Sequence, residues 1–355
     1  FIKNILLIRF LLLALCVQYC FQKFKNINLF LYTITIMTLF VAIDSMIQYF
    51  FGTNLFGNNL NDESVSRIRL TGIFGDEEIV GAYLIKFICL GTVGCFILFQ
   101  KNKIISYIYF SLVSSAILFS QERMAFILLL FLVCLIFFHE VIKMKFKNFV
   151  ILSVVAVIFI SLAFKFDKSL QTRYLSIFTS GSGIAKVKYD DDNKPINFIK
   201  SFSDIKKTEI SFKDSIWGAH FITAYEIFKS NYLLGSGPRS FRYECGLEKY
   251  GNIDIHYINK RCSTHPHNFY LEILSETGLI GFIFFIFLLI LFYFNQFKYF
   301  LNNKNYKHIF GLLTIFLNLW PVASTGSIYA SFNGLIIWIT IGYVLSFSNY
   351  NLKSL

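Results

Sequence analysis

From Leu279 to Phe294 the chain meets nothing more polar than Tyr293, and a water-soluble fold has room for few such stretches. A membrane-crossing helix needs about 20 mostly apolar residues. Nine stretches approach that measure, near 4–21, 27–51, 78–99, 104–120, 122–139, 148–166, 269–295, 308–323 and 328–348. Hydrophobic residues make up 55% of the chain and charged ones 15%, whereas soluble domains carry about 25% charged residues. In hydrocarbon each segment must satisfy its own backbone, so the spans are expected to be helices. The fold class is an all-α polytopic membrane protein: about nine visible transmembrane helices and one long, partly helical extracytoplasmic loop.

Three regions follow from the spacing: a bundle of about six helices over 1–166, a polar segment over 167–268 long enough to be a small domain, and about three helices over 269–355. The chain opens on Phe1 without a basic leader before a cleavage site, so its first apolar segment reads as a span and its N-terminus as truncated. Orientation comes from the lysines. Lys23 and Lys25, Lys101 and Lys103, Lys143, Lys145 and Lys147, Lys298, Lys304 and Lys307, and Lys353 all fall on one side by alternation, the cytoplasm; Lys3 fits poorly. The opposite side receives 52–77, the turn at 120–122, the long segment and a turn at 324–327. The formal charge of +12 is therefore a topology signal. Spread in short clusters rather than along one face, it argues against a nucleic-acid partner.

The arginines behave differently. Apart from Arg9, they are Arg67, Arg69, Arg123, Arg173, Arg239, Arg242 and Arg261, all on the outer side. A guanidinium offers a planar fork that grips phosphate through two parallel hydrogen bonds. Arg242 and Arg261 read as solvated, or paired with acids of the loop. Arg123, in SQERMAFIL, opens a span where the helix dipole disfavours a cation. It reads either as an anion's partner or as an interfacial side chain snorkelling to headgroups. Arg69 lies just before another span, beside Gly72 and Gly75.

The stretch HPHNFYLEILSETGLIG, 265–281, begins at the outer face. Pro266 leads into the helix and Asn268 is available as its cap. His267 sits at the helix N-terminus, where the dipole lowers an imidazole pKa and favours a neutral ring able to accept a proton; His265 stands beside it. Such a histidine reads as structural or as catalytic. Glu272 and Glu276, four apart, share a helix face and need a polar cavity or an arginine. Gly278 and Gly281 let a neighbouring helix approach.

These residues resemble the signature of the O-antigen ligase and polymerase superfamily, in which a His-Asn pair opens a membrane helix carrying a downstream Glu and Gly-x-x-Gly. RLTGIFGDEEIVGAYL and SQERMAFIL are similar to its two outer arginine motifs, and AYEIFKSNYLLGSGPRSF to the segment before its histidine. The resemblance spans roughly 67–281. It implies a GT-C-like glycosyltransferase of the cytoplasmic (inner) membrane with a periplasmic active site. The donor would be an undecaprenyl-diphosphate-linked glycan and the acceptor lipid A-core or another glycan. His267 would be the base, Arg69 and Arg123 would hold the diphosphate with Arg239 assisting, and Asn268, Glu272, Glu276 and His265 would support them. No cofactor or metal is implied. The family's dozen or so spans exceed the nine visible, and the insert GSGIAKVKYDDDNKPINF has no counterpart.

Asp190, Asp191 and Asp192 superficially resemble a metal site but read as a hydrated loop. Cys245 and Cys262 are the cysteines of the long loop, and an oxidising compartment would pair them as a disulfide. Within the superfamily a polysaccharide polymerase or a protein O-oligosaccharyltransferase fits equally. A transporter of lipid-linked glycan is the rival from another class, although transporters place broken helices at mid-membrane, whereas the polar residues here gather at one face.

Overall fold

The computed structural model describes residues 7–24, 26–60, 69–141, 160–167, 169–171, 173–174, 215–255 and 257–348. Lys3, Lys25, Arg67, the cluster of Lys143, Lys145 and Lys147, the first part of the apolar stretch at 148–166, the insert with Asp190, Asp191 and Asp192, and Lys353 lie outside the described residues. Ten α-helices are named here in chain order: α1 Ile8–Phe24, α2 Ile27–Phe51, α3 Val80–Leu98, α4 Lys103–Phe119, α5 Arg123–Val141, α6 Ile216–Ser230, α7 Phe241–Glu244, α8 Phe269–Asn303, α9 Tyr306–Asn318 and α10 Ser331–Leu345. Among the described residues the only strand-like pairing is an isolated bridge between Thr53 and Asn59.

The chain is a membrane protein by composition and helix length. Helices α2, α3 and α8 are long and apolar enough to cross a membrane, and α4, most of α5 and α10 are shorter apolar helices. Helix α8 exposes Ile280, Ile283, Phe284, Phe287, Ile290 and Phe294, as a helix does when lipid rather than protein covers it. Helix α9 stops at Asn318 because Pro321 disfavours helical backbone in the residue before it. The connection to α10 is consequently a loop over 319–330, longer than the tight turn at 324–327 that hydropathy indicates.

Contacts divide the chain into two units. One comprises Phe1–Met37, Lys86–Tyr107 and Phe212–Leu355; the other comprises Thr38–Ile85 and Ile108–Ser211. In the first, α1 packs along α10 and α10 along α9. Small residues permit it: a Cβ at Gly334 would strike the Phe10 ring, one at Gly342 the Ala14 carbonyl, and one at Gly311 the Tyr343 ring. Leu31, Leu90, Leu312, Ile315, Ile337 and Tyr343 form much of the core.

Helix α8 is broken. Gly278, at φ 66° and ψ −169°, interrupts its helical dihedrals. A break strands the amides and carbonyls that would have paired across it, and residues 232–237 take them up. Ser236 and Gly237 donate their N–H groups to the Ser275 and Glu276 carbonyls at 3.1 and 2.8 Å, while Leu279 and Ile280 donate to the Tyr232 and Leu233 carbonyls at 2.7 and 3.2 Å. Gly235 and Gly278 meet main chain to main chain, so a Cβ on either would overlap the other's segment. Gly278 thus seats a turn, where a neighbouring helix had been expected.

In the second unit, Asp44 and Gln48 of α2 tie down the chain that follows. Asp44 accepts from Leu55 N–H at 3.0 Å and from Asn54 Nδ2 at 3.2 Å. Gln48 accepts from Thr71 and Gly72 N–H at 3.0 and 2.8 Å and donates to the Asn58 carbonyl at 3.2 Å. Arg69 is held at the end of this stapled loop. Glu122 caps α3, its two carboxylate oxygens taking Gly81 and Ala82 N–H at 2.7 and 3.0 Å.

Candidate active site

Two groups of residues carry chemistry, one in each unit. In the second unit Arg69 pairs with Glu78 at 3.2 Å, both partly exposed. Arg123 Nε donates to the Arg173 carbonyl at 3.1 Å and Arg173 Nε to the Gln121 carbonyl at 3.3 Å, so the two arginines cross-brace. The same braced segment includes Tyr174, whose hydroxyl donates to the Leu118 carbonyl at 2.6 Å. Burial, then Glu122, pushes the Tyr174 pKa up, while Arg173, Arg69 and Arg123 pull against that shift. Arg123 and Arg173 thus lie together beside Tyr174. Arg173 had not been singled out in the sequence, where nothing sets it apart from other loop arginines.

The first unit holds the histidines. His267 sits at φ 58°, a left-handed conformation uncommon for a non-glycine residue and frequent at functional sites. Its carbonyl accepts the Thr325 N–H at 2.8 Å. Its ring centroid lies 4.3 Å from that of His265, 5.0 Å from His220 and 4.9 Å from the Trp217 indole. His265 Nε2 faces the Thr325 carbonyl at 3.2 Å and His220 Nδ1 the Arg261 carbonyl at 3.2 Å. A carbonyl only accepts, so those nitrogens carry the protons and each ring keeps a bare nitrogen on its other side. His265 Nδ1 accordingly accepts from the Thr264 hydroxyl at 2.8 Å.

The His267 pKa is lowered to about 3, first by burial and then by His265 and His220. Burial also lowers that of His265 and that of His220. A neutral imidazole was expected from the helix dipole; its cause is desolvation among three imidazoles. Asn268 caps α8, its Oδ1 accepting from Tyr270 and Leu271 N–H at 3.0 and 3.1 Å, and its Nδ2 donates to the Pro321 carbonyl at 2.7 Å.

Glu272 and Glu276 are buried and take hydrogen bonds from the segments packed against them. Glu272 accepts from the Ser327 hydroxyl at 2.5 Å and Ile328 N–H at 2.9 Å. Glu276 accepts from the amides of Arg239 at 2.5 Å and Phe241 at 3.0 Å. Arg239 thus enters through its main chain, at φ 65°. The 319–330 loop binds His265, His267, Asn268 and Glu272 together, a role that its sequence PVASTGSI does not advertise. Trp217 and His220, three apart on α6, share a helix face; they were also missed, since an isolated Trp and His ahead of a Gly-x-Gly turn carry no motif.

Cys245 and Cys262 form a disulfide with Cα atoms 5.2 Å apart. Arg261 Nε donates to the Cys245 carbonyl at 2.8 Å, and Cys245 lies in a small core with Ala224, Ile227, Phe241 and Tyr250. The bridge ties the strand of chain that receives His220 and precedes His265. Closing a loop of this length contributes about 3 kcal/mol, so reduction is expected to lower the thermal unfolding temperature of the detergent-solubilised protein by several degrees. Mass spectrometry that finds both thiols free in protein taken from the membrane would contradict the bridge.

A family model described as O-antigen ligase matches residues 108–286. The matched stretch includes Arg123, Arg239, the three histidines around Trp217 and the Gly278 break, and it excludes Arg69 and the 319–330 loop. Among curated proteins none matches.

Proposed function

The chain belongs to the O-antigen ligase family, and from that membership we propose that it transfers an undecaprenyl-diphosphate-linked glycan to an acceptor hydroxyl of lipid A-core at the periplasmic face of the cytoplasmic membrane. The family carries glycosyl-transfer chemistry on a membrane scaffold; donor, acceptor and sidedness are our reading. The observation that carries it is His267: half-buried, unprotonated at neutral pH and pinned through its carbonyl by Thr325, it offers an imidazole nitrogen at the outer end of α8.

In the reaction the acceptor O–H gives its proton to His267 while its oxygen forms a bond to the anomeric carbon. The bond from that carbon to the diphosphate oxygen breaks, and the leaving group departs with the electron pair. Arg69 and Arg123 neutralise the diphosphate through guanidinium forks, without a metal. Arg173, braced against Arg123, belongs with them. Arg239 assists through Glu276, whose carboxylate fixes its main chain.

Deleting the gene and examining lipopolysaccharide tests the reading. Core lacking polymer is the expected result. Core bearing a single repeat unit would make the protein a polymerase; unchanged lipopolysaccharide with loss of glycan from proteins would make it a protein O-oligosaccharyltransferase. Accumulation of donor on the cytoplasmic side would make it a transporter.

A further inference from the structure

Among the buried polar atoms, one is conspicuous for where it lies. The Thr325 hydroxyl is buried and finds no hydrogen-bond partner among the described residues. The rest of the residue is fully engaged: its N–H donates to the His267 carbonyl at 2.8 Å and its carbonyl accepts from His265 Nε2 at 3.2 Å. Its neighbours in the loop are equally occupied, Ser327 with Glu272 and the Pro321 carbonyl with Asn268. A hydroxyl withdrawn from water with nothing to bond carries an uncompensated desolvation penalty, and native structures keep few such groups. Here the uncompensated group is fixed, by its own backbone, between the two histidines of the motif.

We propose that Thr325 is a further substrate-contacting residue, its hydroxyl bonding a hydroxyl of the acceptor sugar next to the one that His267 deprotonates. The proposal rests on the reading of His267 as base. A threonine hydroxyl both donates and accepts, which suits a sugar hydroxyl of either polarity. The bonds from Thr325 to the two histidines are made by its main chain and do not involve its hydroxyl. The chemistry it would recognise is a vicinal pair of hydroxyls on the acceptor, one taken by Thr325 and the other by His267.

This separates binding from folding. Thr325→Val keeps the shape and both backbone bonds and removes only the unpaired hydroxyl. It is expected to unfold at the wild-type temperature or above, because an apolar group of the same shape leaves no hydrogen bond unmade in the free protein. Transfer is expected to fall about tenfold, the value of one neutral hydrogen bond to substrate, with the loss in KM for the acceptor and restored by Thr325→Ser. The full-length variants would be added to membranes from cells lacking the gene, which supply both donor and acceptor, and consumption of lipid-linked glycan would be followed. Wild-type transfer by Thr325→Val, alongside an inactive His267→Ala, would overturn this role and leave His267 as base. A lower unfolding temperature for Thr325→Val would also overturn it, since the hydroxyl would then have a structural partner. Wild-type transfer by His267→Ala would instead remove the base and this role with it.

Discussion

His267→Ala is expected to reduce glycan transfer by about 10²- to 10⁴-fold, the usual consequence of removing a general base, while leaving the unfolding temperature close to that of the wild type. The pH behaviour is the sharper test. An ordinary histidine titrates near 6.5 and would give kcat/KM an acid limb there. Burial beside His265 and His220 lowers the His267 pKa to about 3, so the ring stays unprotonated through the range from pH 5 to 8. The wild-type profile should therefore show no inflection near 6.5. Stability runs the other way with acid: the unfolded chain takes up a proton below about 6.5 that the folded ring refuses, so stability falls as pH drops from that value towards 3. A wild-type acid limb centred near 6.5 would show that the working base is a solvated imidazole. Should His265→Ala abolish transfer while His267→Ala preserves it, the two histidines exchange roles.

The helices were legible because a membrane leaves so few options. Apolar runs located α2, α3 and α8 closely, since in lipid an apolar run and a helix are nearly the same statement. Ends set by local chemistry were harder. The weight of Pro321 on the end of α9 is visible in the sequence only once one asks why an apolar run should stop before its hydropathy does. Main-chain partnerships were legible where a side chain caps its own helix, as Asn268 does, and not across loops. Glu272 and Glu276 announced a need for donors, yet donors supplied by the Ile328, Arg239 and Phe241 amides leave no mark on residue identity. The histidine motif was conspicuous, whereas His220 and Trp217 reach it only through tertiary packing of α6. Arg69 and Arg123 stood out by their place at span ends; their pairing with Glu78 and Arg173 depends on how the loops fold back.

Gly278 and Gly281 look interchangeable in the sequence, and their substitutions are expected to differ in severity. Gly278 holds φ 66° and ψ −169°, a region essentially reserved for glycine, where another residue costs about 1–3 kcal/mol from strain alone. Its Cβ would also run into the Leu233 carbonyl and the Gly235 amide, main-chain atoms with no freedom to swing aside. Gly278→Ala must therefore expel residues 232–237, and with them go the four hydrogen bonds that satisfy the broken helix. Buried amides and carbonyls left unpaired each cost about 1–3 kcal/mol, so the total approaches the whole stability of an ordinary domain. At Gly281 a Cβ would strike the hydroxyl and the Cβ of Thr277; that hydroxyl bonds the Ile273 carbonyl at 2.7 Å and the Cβ is fixed to its backbone, so no rotamer clears the contact and the helix must shift locally. Gly281→Ala strands no main-chain partner, however, and alanine is the better helix former by about 1 kcal/mol. Thermal unfolding in one detergent should show Gly278→Ala melting far below wild type or failing to fold, with Gly281→Ala between the two. The damage in Gly278→Ala should extend to transfer even where protein survives, because the displaced turn leads directly into Arg239, whose amide Glu276 holds. Equal melting of the two variants would mean that the turn is not locked into the break, and that Glu276 is fixed by some other means.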